Sequence, residues 1–186
     1  MGVDYKIKQK AVFLDRDGVI NKAVVVDGKP FPPANVDELE IIEGVEHGIE
    51  ALKAAGYKVF VVTNQPDVAR GKTSKASILE INEYLQKKLR IDEVSCCFHD
   101  GPDDCNCRKP KPGMILDLAN RWNIDLSESF LIGDRWRDIL SAKNAGVRSI
   151  LIDYNYDEQY ETPDFSSTSF EHAINYILNP LNYHSK

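Results

Sequence analysis

The stretch Phe13-Leu14-Asp15-Arg16-Asp17-Gly18-Val19-Ile20-Asn21 (FLDRDGVIN, 13–21) decides how the rest of the chain is read. It continues the apolar run AVFL at 11–14, whose lack of polar alternation is that of a strand covered on both faces. The run stops at two aspartates separated by one residue, so both carboxylates can leave the strand end on one side. Gly18 behind them permits a tight turn and a close backbone approach to a ligand. In an open parallel sheet, ligands gather beyond the carboxyl ends of the strands.

Outward from this point, strand and helix patterns alternate. Further strands are read at 58–62 (KVFVV), 93–98, 129–132 and 148–152. Helical spacing joins Val45, Ile49, Leu52 and Ala55 after Gly44, and Ile78, Ile81, Leu85 and Leu89 over 74–89. It recurs in Ile115, Leu118, Ala119 and Trp122 behind Pro112, then over 136–145 and 170–178. The alternation predicts an α/β fold, a Rossmann-like three-layer α/β/α sandwich on a parallel sheet. Residues 1–186 read as a single domain with room for only a minimal cap. Residues 21–43, with Pro30, Pro32 and Pro33, form a connection of the length that functional loops have, and 153–186 reads as a polar tail. His47 falls on the solvent side of its helix and Trp122 on the core side of its own.

The chain of 186 residues carries 23 Lys and Arg against 29 Asp and Glu, a net charge of −6. An acidic balance without a basic stripe argues against nucleic acid as partner. No apolar run reaches the length of a membrane helix and the N-terminus lacks an apolar signal core, which predicts a cytoplasmic monomer with no membrane partner. Cys96, Cys97, Cys105 and Cys107 fall in one twelve-residue window rather than along the chain, the pattern of metal rather than disulfides.

Four strand ends carry the polar residues. Asp15 and Asp17 follow the first, Thr63-Asn64-Gln65 the second, a cysteine loop running into Arg108-Lys109-Pro110 the third, and Gly133-Asp134-Arg135 a later one. Carboxylates converging from Asp15, Asp17 and Asp134 suit a hard cation such as Mg²⁺. With that cation, one carboxylate can attack phosphorus while the other exchanges protons, and Lys109 and Thr63 can bind the transferring phosphoryl oxygens. In the loop 96–108, Cys97-x-His99-x₅-Cys105-x-Cys107 is a closed Cys₃His set, the usual arrangement of a structural Zn²⁺. Zinc there would hold a loop with little core of its own directly upstream of Arg108 and Lys109, leaving Cys96 spare.

FLDRDGVIN, VVTNQ, CRKPKPGM and IGDRWRDI, in this order, resemble the motifs of the haloacid dehalogenase superfamily of phosphatases over roughly residues 11–152. The resemblance implies that Asp15 is the nucleophile, carrying an aspartyl-phosphate. It makes Asp17 the acid that protonates the leaving oxygen and then the base that activates water. Thr63 and Lys109 hold the phosphoryl group, and Mg²⁺ sits on Asp15, the main-chain carbonyl of Asp17, and Asp134. Asp138 orients Lys109 or the metal. Lys109 is preferred to Lys111 because the family's lysine directly follows Arg and precedes the first Pro.

The zinc loop is similar to that of the D-glycero-D-manno-heptose 1,7-bisphosphate phosphatases and of the related histidinol-phosphate phosphatases. The segment Val68-Ala69-Arg70-Gly71 and the run KPKPGM lean to the heptose branch; the five-residue gap between His99 and Cys105 leans to the other. By this resemblance Asn64, Gln65, Arg108 and Arg135 contact a small phosphorylated sugar, and Arg70 either binds a second phosphate or lies on the solvated surface. The expected function is a Mg²⁺-dependent phosphomonoesterase removing the 7-phosphate of the heptose bisphosphate. The alternatives are histidinol phosphate or another small phosphosugar as substrate, or a non-catalytic zinc-loop binding module; the intact acids and lysine speak against the last.

Overall fold

The computed structural model describes residues 7–26, 29–156 and 161–180. Six parallel strands form the central sheet: β1 (Ala11–Leu14), β4 (Lys58–Asn64), β5 (Glu93–Cys97), β6 (Phe130–Gly133), β7 (Arg148–Ile152) and β8 (Phe165–Ser167). Their order is β5-β4-β1-β6-β7-β8, with β1 at the centre. A small antiparallel hairpin, β2 (Val24–Val26) and β3 (Lys29–Phe31), stands apart within the long connection. The helices are α1 (Val45–Ala54), α2 (Lys75–Lys88), α3 (Gly113–Trp122), α4 (Trp136–Ala145) and α5 (Phe170–Leu178).

Strand periodicity of two sorts β1 between two cores. Val12 and Leu14 join Val59, Val61, Phe130 and Ile132 under α1, α2 and α5, through Ile49, Leu52, Ile81, Leu85, Phe170 and Ile174. Ala11 and Phe13 join Phe60, Val62 and Leu131 on the other face, under Met114, Ile115 and Leu118 of α3 and Ala142 of α4. These are the three layers read from the alternation. His47 is exposed, as read. Trp122 is only half-buried: its ring packs 5.4 Å from that of Phe60 while Nε1 donates to Glu93 Oε2 at 2.8 Å, so its polar end stays at the rim.

Two elements go beyond the sequence reading. The long connection folds into the β2–β3 hairpin, and Asp27 and Gly28 between its strands lie outside the described residues. The stretch read as a polar tail supplies β8, which extends the sheet beside β7. Of its three residues only Ser167 is buried, so β8 has no hydrophobic signal to read. Asp164 secures its start by accepting from the backbone N–H and hydroxyl of Ser149, both at 2.7 Å.

Register brings the functional strand ends level. Leu14 pairs with Val61 on one side and Ile132 on the other, and the Asp15 N–H donates to Ile132 O at 2.9 Å. Asn64 pairs with Cys97, so the second motif lies beside the start of the cysteine loop. No helix among the described residues is long and apolar enough to cross a membrane.

Phe60 is fully buried, its ring centroid 5.5 Å from that of Phe13. Phe60→Ala should cost about 3–5 kcal/mol of unfolding free energy, read by denaturant titration; a loss below about 1 kcal/mol would mean that this core does not hold the β1–β4 pair.

Candidate active site and metal centres

Lys109 is the centre of the site. Its ammonium is 3% exposed and meets Asp15 Oδ1 at 2.8 Å, Asp138 Oδ1 at 2.6 Å and the carbonyl of Val62 at 2.7 Å. Burial works against its charge, but Asp138 and Asp15 outweigh that and raise its pKa. Asn64 holds the lysine's backbone: Nδ2 donates to Lys109 O and Oδ1 accepts from Lys109 N–H, both at 3.0 Å. Lys111 instead pairs at the surface with Asp104 at 2.6 Å.

Asp15, Asp134 and Asp138 bring carboxylate oxygens within 4.8 Å of one another. Burial raises Asp15 to about 6, Lys109 pulling it down and Asp138 pushing it up. Burial, then the charges of Asp15 and Asp138, lift Asp134 well above the carboxylate range. Asp134 Oδ1 is buried with no hydrogen-bond partner among the described residues. Two acids on one ammonium, with a third beside them whose Oδ1 lacks a partner, fit a hard cation. Asp138 is otherwise engaged, since Oδ1 meets Lys109 and Oδ2 accepts from the Arg135 N–H at 3.1 Å; of the two partners expected for it, lysine or metal, the lysine is the one it touches here. Gly18 has φ +88, and a Cβ there would lie 2.3 Å from Asp134 Oδ2, so only glycine lets this loop reach the carboxylate.

The carboxylate of Asp17 lies outside that acid cluster. Arg16, fully buried, gives it Nε at 3.2 Å and a second N–H at 3.0 Å, Asn21 donates at 3.0 Å and Gln65 Nε2 at 2.7 Å. A role for Asp17 at a cation therefore rests on its main-chain carbonyl. Gln65 also donates to Thr63 Oγ1 at 2.9 Å. Asn64 and Gln65, read as substrate contacts, thus spend their amides holding Lys109, Asp17 and Thr63. Arg16 and Asn82, which accepts from Arg16 at 2.9 Å, escaped the sequence reading. Asn82 was visible as a polar residue on the apolar stripe of α2.

A cavity of about 140 Å³ is lined by Asp15, Asp17, Thr63, Asn64, Lys109 and Asp134 together with Arg135 and Arg137. A second of about 250 Å³ shares Asp17, Asn64, Arg135 and Arg137 with it and adds Arg70, Lys72 and Arg108. Arg135 lies 4.9 Å from the Tyr156 ring. Arg137, on both cavity walls, was not singled out from sequence; it lies one turn from Asp134, where a helix N-terminus opens on the site.

The cysteine loop forms the second centre. Cys97, Cys105 and Cys107 place their sulfurs 3.1–3.6 Å apart, and His99 Nδ1 lies 3.3 Å from Cys107 and 3.7 Å from Cys97. Disulfide sulfurs would be about 2.05 Å apart; four ligands around one zinc at about 2.3 Å would be roughly 3.8 Å apart. The donor set fits zinc. Against the effect of burial, hydrogen bonds from Cys107 and the Arg108 backbone bring Cys105 down to about 7, while burial pushes the Cys97 and Cys107 thiols up, so the fit rests on the donor set and its distances. Cys96 stays out of the set, its thiol pushed up to about 11 by burial.

Comparison with known proteins adds four findings. A family model for haloacid dehalogenase-like hydrolases matches residues 22–146. A protein of Rhodopseudomonas palustris named D-glycero-beta-D-manno-heptose-1,7-bisphosphate 7-phosphatase is 41% identical over 152 residues, 75% of this chain and 81% of that one. A protein of the same name from Photorhabdus laumondii is 34% identical over 184 residues, covering 92% and 90%. The crystal structure of a D,D-heptose 1,7-bisphosphate phosphatase from B. bronchiseptica with magnesium and phosphate superposes with a TM-score of 0.79 at 28% identity, covering 92% of this chain and 99% of that one.

Elemental analysis should find about one zinc per chain, and Cys107→Ser should lower that content sharply while far-UV circular dichroism keeps the sheet signal; full zinc content in the variant would remove Cys107 from the set. A second expectation concerns pH. Folded Asp15 titrates at about 6 against an ordinary 3.8, so between those values the folded protein holds more protons than the unfolded one. Stability contributed by this group therefore falls as pH rises through that window, and above it the ionised carboxylate is the form that a cation would take up. Added Mg²⁺ should raise Tm more at about pH 7.5 than at about pH 5; equal shifts would place the ion elsewhere.

Proposed function

The chain belongs to the haloacid dehalogenase-like hydrolases, and from that premise we propose that it is a phosphatase working through an aspartyl-phosphate on Asp15, with D-glycero-β-D-manno-heptose 1,7-bisphosphate as its substrate and the 7-phosphate as the group removed. The observation that carries this reading is the buried Lys109 joined to Asp15 and Asp138 beside the orphaned Asp134 oxygen, at the floor of a cavity that continues into a basic one.

Among the described residues, both hydrogen bonds to Asp15 fall on Oδ1, from Lys109 and from the Arg16 N–H, which leaves Oδ2 to attack phosphorus. As the Asp15–phosphorus bond forms, the bond from phosphorus to the sugar oxygen breaks. Asp17 gives that oxygen its proton. The donors of Arg16, Asn21 and Gln65 then stabilise the carboxylate that remains. That carboxylate takes a proton from the water that attacks the aspartyl-phosphate, so phosphate leaves and both aspartates return to their starting states. Lys109 faces the phosphoryl oxygens with its charge. Thr63 Oγ1 already accepts from Gln65, so its own O–H is left to donate to them. Asp15, Asp134 and the main-chain carbonyl of Asp17 would hold Mg²⁺, which supplies neutralisation of the phosphoryl charge when bound. Zinc on Cys97, His99, Cys105 and Cys107 would hold the loop that carries Arg108.

The second cavity supports the bisphosphate over histidinol phosphate. Lys72, Arg108, Arg135 and Arg137 on its walls favour a second anionic group and repel the ammonium of an amino alcohol. The relatives' names support the β anomer. The four cysteines, none of them in a disulfide, fit a reducing compartment, the cytoplasm.

Asp15→Asn should reduce kcat by at least about 10³-fold with the fold retained; normal turnover in that variant removes Asp15 as nucleophile. In a panel with Mg²⁺, kcat/KM for the β-bisphosphate should exceed that for histidinol phosphate by about 100-fold, some 2.7 kcal/mol of transition-state discrimination. The reverse order would assign the enzyme to the other branch.

A further inference from the structure

The cysteine loop meets the loop that follows β4 through a charged contact that the phosphoryl chemistry leaves unused. Arg70 Nε donates to Asp100 Oδ2 at 2.7 Å and its second terminal N–H to Oδ1 at 2.8 Å, a bidentate pair. The remaining nitrogen of Arg70 donates to Asp67 Oδ1 at 3.2 Å. Every nitrogen of this guanidinium therefore has a carboxylate partner; three of its five N–H groups are used, and one on each terminal nitrogen remains. Asp100 follows the zinc-ligand candidate His99 directly, and its own N–H donates to Asp103 Oδ2 at 2.7 Å, which ties it into the turn Gly101–Asp103.

The same Asp100 carboxylate reaches Arg108. Its Oδ1 lies 3.5 Å from one terminal nitrogen of Arg108, whose other terminal nitrogen donates to the His99 carbonyl at 3.0 Å. Arg70 and Arg108 thus enter the second cavity from two different loops, joined through one acid. A bidentate arginine–carboxylate pair sets distance and plane together, which a single charge contact does not. At this exposure it adds little to global stability, so its effect is on where the loops sit.

Resting on the bisphosphate reading above, we infer that Arg70 and Asp100 form a clamp that seats the cysteine loop against the 65–72 loop and so sets where Arg108 meets the substrate's non-transferred phosphate. Asp100 is then a positioning residue for selectivity, and Arg70 is its partner rather than a phosphate ligand.

The test compares kcat/KM for heptose 1,7-bisphosphate with that for heptose 7-phosphate, which lacks the second phosphate. It uses the zinc-loaded wild type, Asp100→Asn, Arg70→Met and the double variant, with zinc content measured on each. Both single variants should lower the preference for the bisphosphate by about fivefold or more, and the double variant should lower it no further. Opposite signs, with Asp100→Asn strengthening and Arg70→Met weakening the preference, would make Arg70 a phosphate ligand shielded by Asp100 and overturn the clamp. Independent, multiplying losses would overturn it as well. Should Asp100→Asn lose zinc, Arg70→Met, which lies outside the cysteine loop, decides alone. A wild type without any preference overturns the substrate reading and the clamp's role with it. A preference that survives in both variants overturns the clamp only.

Discussion

A primary ammonium has three N–H donors, and burying it without acceptors for them costs several kcal/mol. Lys109 meets this constraint with acceptors from three elements: Asp15 beyond β1, Val62 within β4 and Asp138 in α4. Those acceptors converge only because β1 lies next to β4 on one side and β6, which leads into α4, on the other. Asn64 closes the arrangement by bonding both backbone groups of the same lysine. The strand order thus brings the Asp15 carboxylate and the buried ammonium together. The acids outnumber the ammonium, and burial together with the charges of Asp15 and Asp138 raises Asp134 well above the ordinary carboxylate range.

A second buried cation divides the labour between the two aspartates of the first motif. Arg16 is completely enclosed and turns back onto Asp17. Asp15 therefore looks toward Lys109 and Asp134, while Asp17 looks toward Gln65, Asn21 and Arg16. Carboxylates two residues apart on one strand end come to occupy distinct electrostatic settings, as the proposed division into nucleophile and proton carrier requires. The cationic walls of the neighbouring cavity stand out against a chain of net charge −6. That local concentration of arginine is what an anionic ligand meets on arrival.

Much of this was legible in the amino-acid order. The three layers follow from apolar runs without alternation in the strands and one-sided stripes in the helices. Asp15, Thr63, Lys109 and Asp134 were legible because each stands where an apolar strand, or the loop leaving it, abruptly turns polar. The cysteine set was legible from spacing alone, and its sulfur distances agree with it. What was not legible depends on partners far apart in sequence. The amides of Asn64 and Gln65 are engaged by Lys109 and Asp17, 45 and 48 residues away, so composition alone gives them the look of substrate contacts. Asp100 reads as one more acid in a polar loop until Arg70 is found against it. The strand β8 and the β2–β3 hairpin are too short for periodicity to register.

The strand order has one further consequence, for behaviour at high concentration. Among the described residues the sheet is open, and its two outer strands, β5 and β8, have a neighbour on one side only, the kind of edge that can template pairing with another molecule. At one margin β8 is only three residues long, too short to recruit a neighbour. At the other, β5 begins with Glu93, whose carboxylate is shared by Arg121 and the Trp122 indole. A charged, side-chain-bridged start to one border strand and a truncated one at the opposite border are protections against edge-to-edge aggregation. A parallel sheet, slow to assemble, has particular need of them while it folds.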